Sequence, residues 1–232
     1  MKIDIWSDVV CPWCYIGKRH LEAALGEFAH RDDVEVEWHA FELDPAAPRV
    51  REGNYIDRLS RKYGVAPSDA QAMIDRMSNT AAEAGLRFRF DIARPGNTFD
   101  AHRLIAMAGE HGVQDAVKER LLAGYMTEGE AIGEADTLVR LVAEAGLDAD
   151  EARAVLATDA YTQQVRDDEA AAAGMGVSGV PFFVFDRRLA VSGAQPAALL
   201  ERVLERAWDE RAAVQVVAGE AGAACDDDTC AI

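Results

Sequence analysis

Two cysteines separated by a Pro-Trp pair, Cys11-Pro12-Trp13-Cys14, fall at the junction of a strand-like run and a helix-like run. Lys2 to Trp6 has strand character with Ile3 and Ile5 on one face, and Ser7-Asp8 break the pattern. Pro12 suits a first helical turn, where its missing N–H costs nothing, and Ile16, Leu21 and Leu25 supply apolar positions further along. A cysteine at a helix N-terminus lies among unpaired N–H groups and the positive end of the helix dipole, so the thiolate is favoured over the thiol. In such motifs the thiol pKa falls from about 8.5 into the range of roughly 3.5 to 7.5. Cys11 is therefore the expected nucleophile. Cys14, one turn later, is placed to resolve a mixed disulfide, and burial in the helix should keep its own pKa high. Pro12 and Trp13 shape the turn and help set the reduction potential.

A second strand is expected from Val34 to Phe41, where Val34, Val36, Trp38 and Ala40 alternate with Glu35, Glu37 and His39. Turn-formers from Leu43 to Pro48 then give way to helical spacing: Ile56, Leu59 and Tyr63; Met73, Ile74 and Met77; Leu104, Ile105 and Ala108; Val117, Leu121 and Tyr125; Leu138, Leu141 and Val142. Pro67-Ser68-Asp69 and Asp159 offer helix starts, and Gly85, Gly112, Gly124 and Gly146 offer stops. Beyond Gly174 to Pro181 the apolar run Phe182 to Phe185 reads as a strand, Asp186-Arg187-Arg188 as a hairpin turn into Leu189 to Ser192, and Pro196 as the opening of a last helix. The expected fold is α/β, with an all-helical domain inserted after the second strand. Residues 1–44 and 174–214 form its two parts, 45–173 the insertion, and 215–232 a mobile acidic tail.

A chain of 232 residues, half of them hydrophobic, can bury a real core without disulfides or metals. Acidic residues outnumber basic ones by 41 to 24, and the formal net charge of -17 argues against nucleic acid or an anionic membrane as partner. Protein thiols, or small neutral or cationic substrates, fit better. The opening residues lack the basic and apolar runs of a secretory leader, and no apolar stretch is long enough to span a bilayer, so a cytoplasmic location is expected. In such a reducing compartment, paired cysteines are more often catalytic, redox-sensing or metal-binding than structural.

The four cysteines form two pairs of different spacing, Cys11/Cys14 and Cys225/Cys230, which weighs against one tetrahedral zinc site. No metal is expected. Cys225 and Cys230 read either as thiols of a solvated tail or as an auxiliary redox pair that exchanges with Cys11/Cys14. The aspartates between them disfavour thiolates, so neither is a primary nucleophile. The Val180-Pro181 bond is expected to be cis, in a turn that offers the Val180 backbone to an extended substrate segment. His102 and Asn97 are weaker substrate-binding candidates. A lone histidine on a helix is more often packed or solvated, and Asn97-Thr98 is also an ordinary helix start.

Three stretches together resemble the DsbA-like thioredoxin family, and more closely its FrnE-like branch, related to 2-hydroxychromene-2-carboxylate isomerases and kappa-class glutathione transferases. They are Ile3 to Gly17, Asn97 to Leu104 and Gly176 to Phe183. The resemblance implies an α/β thioredoxin fold interrupted by the all-helical domain, with Cys11 as nucleophile, Cys14 as resolving thiol, Pro181 as the cis-proline, and a C-terminal cysteine pair as a frequent accessory. No metal, flavin or nucleotide cofactor is expected, since the electron pair resides in the cysteine couple itself, and glutathione is left open as a thiol partner. Isomerase and transferase relatives commonly carry serine where this chain has Cys11, so the intact pair favours disulfide exchange. Two rivals stand beside it: a glutathione-dependent isomerase or transferase, and a non-catalytic redox sensor.

Overall fold

A computed structural model describes residues 1–51 and 53–211. The proposed tail, with Cys225 and Cys230, lies outside the described residues. A four-stranded sheet organises the rest. Strand β1 (Lys2–Ser7) runs into helix α1 (Pro12–Glu27) and returns as β2 (Glu35–Ala40); later come β3 (Phe182–Phe185), β4 (Leu189–Ser192) and the last helix of the chain. The order is β2-β1-β3-β4, with β1 parallel to β2 and antiparallel to β3. As an inner strand β1 is covered on both sides, so that Asp4 and Trp6 are buried along with Ile3 and Ile5.

Between β2 and β3 the chain is helical: α2 (Tyr55–Tyr63), α3 (Pro67–Glu83), α4 (Phe99–Glu110), α5 (Gln114–Ala123), a π-helical turn over Gly124–Glu128, α6 (Ala135–Glu144), α7 (Ala149–Ala157) and α8 (Thr162–Gly174). Helix α9 (Ala197–Asp209) follows β4 and packs on α1. This is the thioredoxin fold with an all-helical insertion after its second strand. One apolar core runs through both parts, from Ile3, Ile5, Phe183 and Phe185 to Leu104, Leu121, Leu138 and Leu141. Each fully buried side chain of this size contributes about 1.5–3 kcal/mol.

The insertion also covers the open edge of β2, where unpaired backbone groups would otherwise invite another chain. The Gln114 side-chain amide accepts from the Trp38 N–H at 2.9 Å and donates to the Trp38 carbonyl at 3.0 Å. The Asp168 carboxylate, from α8, accepts from the Ala40 N–H at 2.9 Å. Arg103, 4 % exposed, donates to the carbonyls of Val155, Thr158 and Ala160, tying the C-terminal end of α7 to α4.

Three local expectations change. Gly124 does not end a helix: its φ of -53° is right-handed, the chain continues into the π turn, and Gly129 at φ 74° makes the stop. Asp159 does not cap α8, which starts at Thr162 after Tyr161 in the left-handed region at φ 61°. Tyr63, expected in the insertion core, is 55 % exposed because α2 meets the core only along its Tyr55-Ile56-Leu59 side. Among the described residues no helix is long and apolar enough to cross a membrane.

Candidate active site

The strand that orders the sheet also delivers the cysteines. After β1 the buried residues Asp8 and Val9 carry the chain beneath the start of α1, where Cys11 is the N-cap and Pro12 the first helical residue. No side chain caps this end and no acidic residue stands in its first turn, so the free N–H groups are left to the Cys11 sulfur. Trp13, 42 % exposed, projects outward between Cys11 (4 %) and the fully buried Cys14, and both cysteines are free thiols.

Opposite them the Val180–Pro181 peptide bond is cis, and the Val180 carbonyl accepts from the Cys11 thiol at 3.5 Å. Helix α1 approaches this turn closely because position 17 is glycine. A Cβ there would stand 2.9 Å from Pro181 Cγ and 3.2 Å from Phe183 Cζ. Trp6, Val180 and Val184 pack with the two cysteines, flanked by Phe41, Val177 and Phe182.

The two thiols are driven apart electrostatically. A hydrogen bond from Cys14 is the main reason the Cys11 pKa lies below the ordinary thiol value. Burial opposes it, the Cys14 and Trp13 N–H groups assist, and the charge of Asp8 opposes. Cys14 is pushed well up, first by burial and then by its bond to Cys11 and the charge of Cys11. The two thiols are thus shifted in opposite directions, Cys11 toward easier loss of its proton and Cys14 toward keeping it.

Beneath the pair lie charged groups that the sequence reading did not single out. Asp8 is fully buried; its carboxylate accepts from the Leu43 N–H at 2.8 Å and lies 3.3 Å from His102 Nε2. Burial pushes its pKa up, but the bonds from His102 and Leu43 and the charge of Lys118 outweigh burial and keep it below the usual carboxylate value. Lys118, from α5, is also fully buried, 3.5 Å from the Ser7 carbonyl and 5.4 Å from the Trp38 ring centre. Burial brings its pKa down to about 8 against the charges of Cys14, Asp8 and Cys11. The available signal was Lys118 one helical turn from Leu122, inside a row that otherwise buries Val117 and Leu121.

Of the weaker candidates, His102 is 2 % exposed and faces Asp8. Asn97 donates to Glu42 and to the Pro45 carbonyl, both at 3.3 Å, and accepts from the Phe99 N–H at the start of α4. Asp4, Glu37 and His39 bring ligand-type atoms within 4.8 Å of one another. Their cation is Lys2, whose ammonium contacts both carboxylates, while His39 spends its two nitrogens on Asp4 at 2.9 Å and Asp168 at 2.7 Å. That arrangement fills the place an ion would take.

Residues 2–205 match the DSBA-like thioredoxin domain. The chain belongs to this family. Among solved structures, this DSBA-like chain is similar to a probable DsbA oxidoreductase from Streptomyces coelicolor, at 43 % identity and TM-score 0.90, covering 100 % of this chain and 99 % of the other. The Bacillus subtilis (strain 168) protein YwbO is 29 % identical over 163 residues, 69 % of this chain and 74 % of YwbO. Cytosolic disulfide reductase DsbM from Pseudomonas aeruginosa, solved with GSH, shares the fold at 20 % identity and TM-score 0.62, over 88 % of this chain and 100 % of DsbM. The DSBA-like chain thus carries an oxidoreductase fold.

Proposed function

We propose that this chain is a thiol–disulfide oxidoreductase of the FrnE-like kind, in which Cys11 exchanges with substrate and Cys14 resolves. The observation that carries the reading is the opposed pair of thiols, Cys11 lowered at the α1 N-terminus and Cys14 raised beside it. In the oxidising direction on the protein, the Cys11 thiolate attacks a substrate disulfide. A Cys11–substrate S–S bond forms and one substrate thiolate leaves. Cys14 then loses its proton and attacks Cys11 Sγ, releasing the second substrate thiolate. The protein ends as a disulfide and the substrate as two thiols; the reverse sequence oxidises a substrate dithiol.

The resolving step needs a proton removed from a buried thiol. Lys118 is the nearby positive charge that lowers the Cys14 pKa, and Asp8 is the negative charge that resists a thiolate at Cys11. These two groups therefore position the proton balance of the couple. Val180 and Pro181 form the substrate-facing turn of this reading. No metal or organic cofactor is required, since the electron pair resides in the two sulfurs. Thiols and disulfides of proteins or small molecules are the proposed partners, with glutathione, the ligand in the DsbM structure, as a proposed thiol partner in turnover. A reducing compartment such as the cytoplasm is the proposed setting. Cys225 and Cys230 are proposed as an auxiliary pair that relays electrons to Cys11/Cys14; unchanged turnover in Cys225→Ser/Cys230→Ser would remove that role.

Cys14→Ser tests the mechanism. It should accumulate a stable Cys11–substrate mixed disulfide, visible by intact-mass spectrometry, whereas Cys11→Ser should form none. A glutathione-dependent conversion that continues at full rate in both variants would overturn the reading in favour of an isomerase or transferase.

A further inference from the structure

Cys14, Gly17 and His20 follow one another at three-residue spacing on α1, so they share a face of the helix. Cys14 packs with Val180, and Gly17 lets Pro181 approach more closely than a side chain there would allow. His20 is the next residue on that line, and the exchange chemistry leaves it unused. Its Nδ1 lies 2.8 Å from the carbonyl oxygen of Gln195, in the loop between β4 and α9. A carbonyl only accepts, so Nδ1 carries a proton and is the donor.

From Gln195 the connection runs to the active site through backbone alone. The Gln195 N–H donates to the Gly193 carbonyl at 2.9 Å, and the Gly193 N–H donates to the Pro181 carbonyl at 2.8 Å. Gly193 can turn between the two because its φ of 81° lies in the left-handed region. The Gln195 side chain closes the loop on itself, donating to the Ser192 carbonyl at 3.0 Å. Ser192 stands opposite Phe182 in the β3–β4 ladder, so the Gly193 bond extends that ladder by one step, onto the cis-proline. Proline has no N–H, which leaves its carbonyl as the backbone group by which Pro181 can be held. The Gln195 carbonyl is not used by α9, whose first bonds go to the carbonyl of Pro196. Upstream of the turn, no neighbouring atom lies within 4 Å of where a Cβ would stand at Gly176 or Gly179, so that side is loosely packed at its glycines.

We propose that His20 is a positioning residue of the exchange reaction: its bond to Gln195 latches the β4–α9 loop to the cysteine helix and so fixes the gap between Cys11 and the cis-proline turn, where an extended polypeptide segment lies. The proposal rests on the thiol–disulfide reading with Val180–Pro181 as the substrate-facing turn, and adds the group that holds their spacing. Gly17 sets how near the turn can come, and His20 keeps it from moving away. A displacement of about 1 Å at a reacting centre can cost on the order of a hundredfold in rate. A polypeptide that pairs with the turn needs the spacing held, whereas a small disulfide that touches only Cys11 does not. The chemistry is the same for both. The Cys11 thiolate attacks one substrate sulfur, a Cys11–substrate S–S bond forms, the substrate S–S bond breaks, and its other sulfur leaves with the electron pair.

The test uses the reduced full-length chain and two oxidants with one leaving group: dithiodipyridine, and an unstructured peptide whose single cysteine carries a thiopyridyl disulfide. Thiopyridone release is followed in single turnover. In His20→Ala and His20→Gln the peptide should react about fivefold or more slowly, and dithiodipyridine within about twofold of the wild-type rate. His20→Asn should restore most of the peptide rate, because its amide nitrogen takes the place of Nδ1, whereas that of Gln takes the place of Nε2. Histidine and asparagine have similar helix propensity, so α1 itself is not altered. Should His20→Ala fail to fold, His20→Gln against His20→Asn carries the same comparison. An unchanged peptide rate in the Ala and Gln variants, equal slowing of both oxidants, or His20→Asn as slow as His20→Gln overturns the latch while exchange stands. Wild type that ends the peptide reaction without a Cys11–Cys14 disulfide overturns the exchange reading and the latch together.

Discussion

Gly17 and Pro181 meet across the active site at a distance that only glycine permits: a Cβ at position 17 would approach Pro181 Cγ to 2.9 Å. Glycine in a helix interior costs roughly 1 kcal/mol relative to alanine. Here that propensity is exchanged for close packing of α1, which carries both cysteines, against the turn that accepts the Cys11 hydrogen bond. Gly17→Ala should therefore not stabilise α1. We expect a net loss of about 1–3 kcal/mol from overpacking, together with slower mixed-disulfide formation. Urea unfolding and single-turnover exchange check the two effects.

Reactivity of Cys11 should follow its thiolate. Alkylation by iodoacetamide across pH should show a midpoint below that of an ordinary thiol. Since the Cys14 hydrogen bond is the largest cause of the lowering, Cys14→Ala should move the midpoint up. A midpoint unchanged in Cys14→Ala would assign the lowering to the helix terminus alone.

Lys118 should leave a mark on stability above neutral pH. Its folded pKa of about 8 lies below its ordinary 10.5, so between those values the unfolded chain binds more protons and stability rises with pH. Relative to Lys118→Met, wild type should gain up to about 3 kcal/mol over that window. Because Lys118 lowers the Cys14 pKa, the same variant should also resolve mixed disulfides more slowly. Chemical denaturation at several pH values, paired with mixed-disulfide decay, separates the two effects.

His39 behaves with the opposite sign. Burial lowers its pKa, but the bonds to Asp168 and Asp4 and the charge of Glu37 outweigh burial and raise it. Its contribution is fully present below the unfolded histidine value and is lost as pH rises through the folded one. Asp168 also holds the Ala40 N–H, so this loss should loosen α8 from β2. Hydrogen exchange at Ala40 should accelerate on mild alkalinisation in wild type, and His39→Gln should show fast exchange throughout.

Much of this was legible because it is local. Cys11, Pro12 and Cys14 announce a helix start within four residues, and Val180-Pro181 before Phe182 announces a turn into a strand. The hairpin at Asp186-Arg187 was readable from its polar residues, and both adopt positive φ, 46° and 56°. What the chain order hid are contacts made across it. Asp8 and His102 are far apart in sequence, and Lys118 looks like one more charged residue on an amphipathic helix until α5 is docked against β2. Gly124 misled because a glycine can also sit in a right-handed helix, and nothing in its neighbours distinguishes the π turn from a stop.

The central claim is that Cys11 and Cys14 form a reversible two-electron couple, and their reduction potential tests it most directly. The chain would be equilibrated in glutathione redox buffers and its thiols trapped for mass spectrometry. The account predicts a cooperative two-thiol transition at Cys11 and Cys14, lost at those positions in Cys11→Ser and in Cys14→Ser, within the range of roughly -120 to -270 mV spanned by such couples. Absence of any Cys11–Cys14 disulfide across the buffers would contradict it.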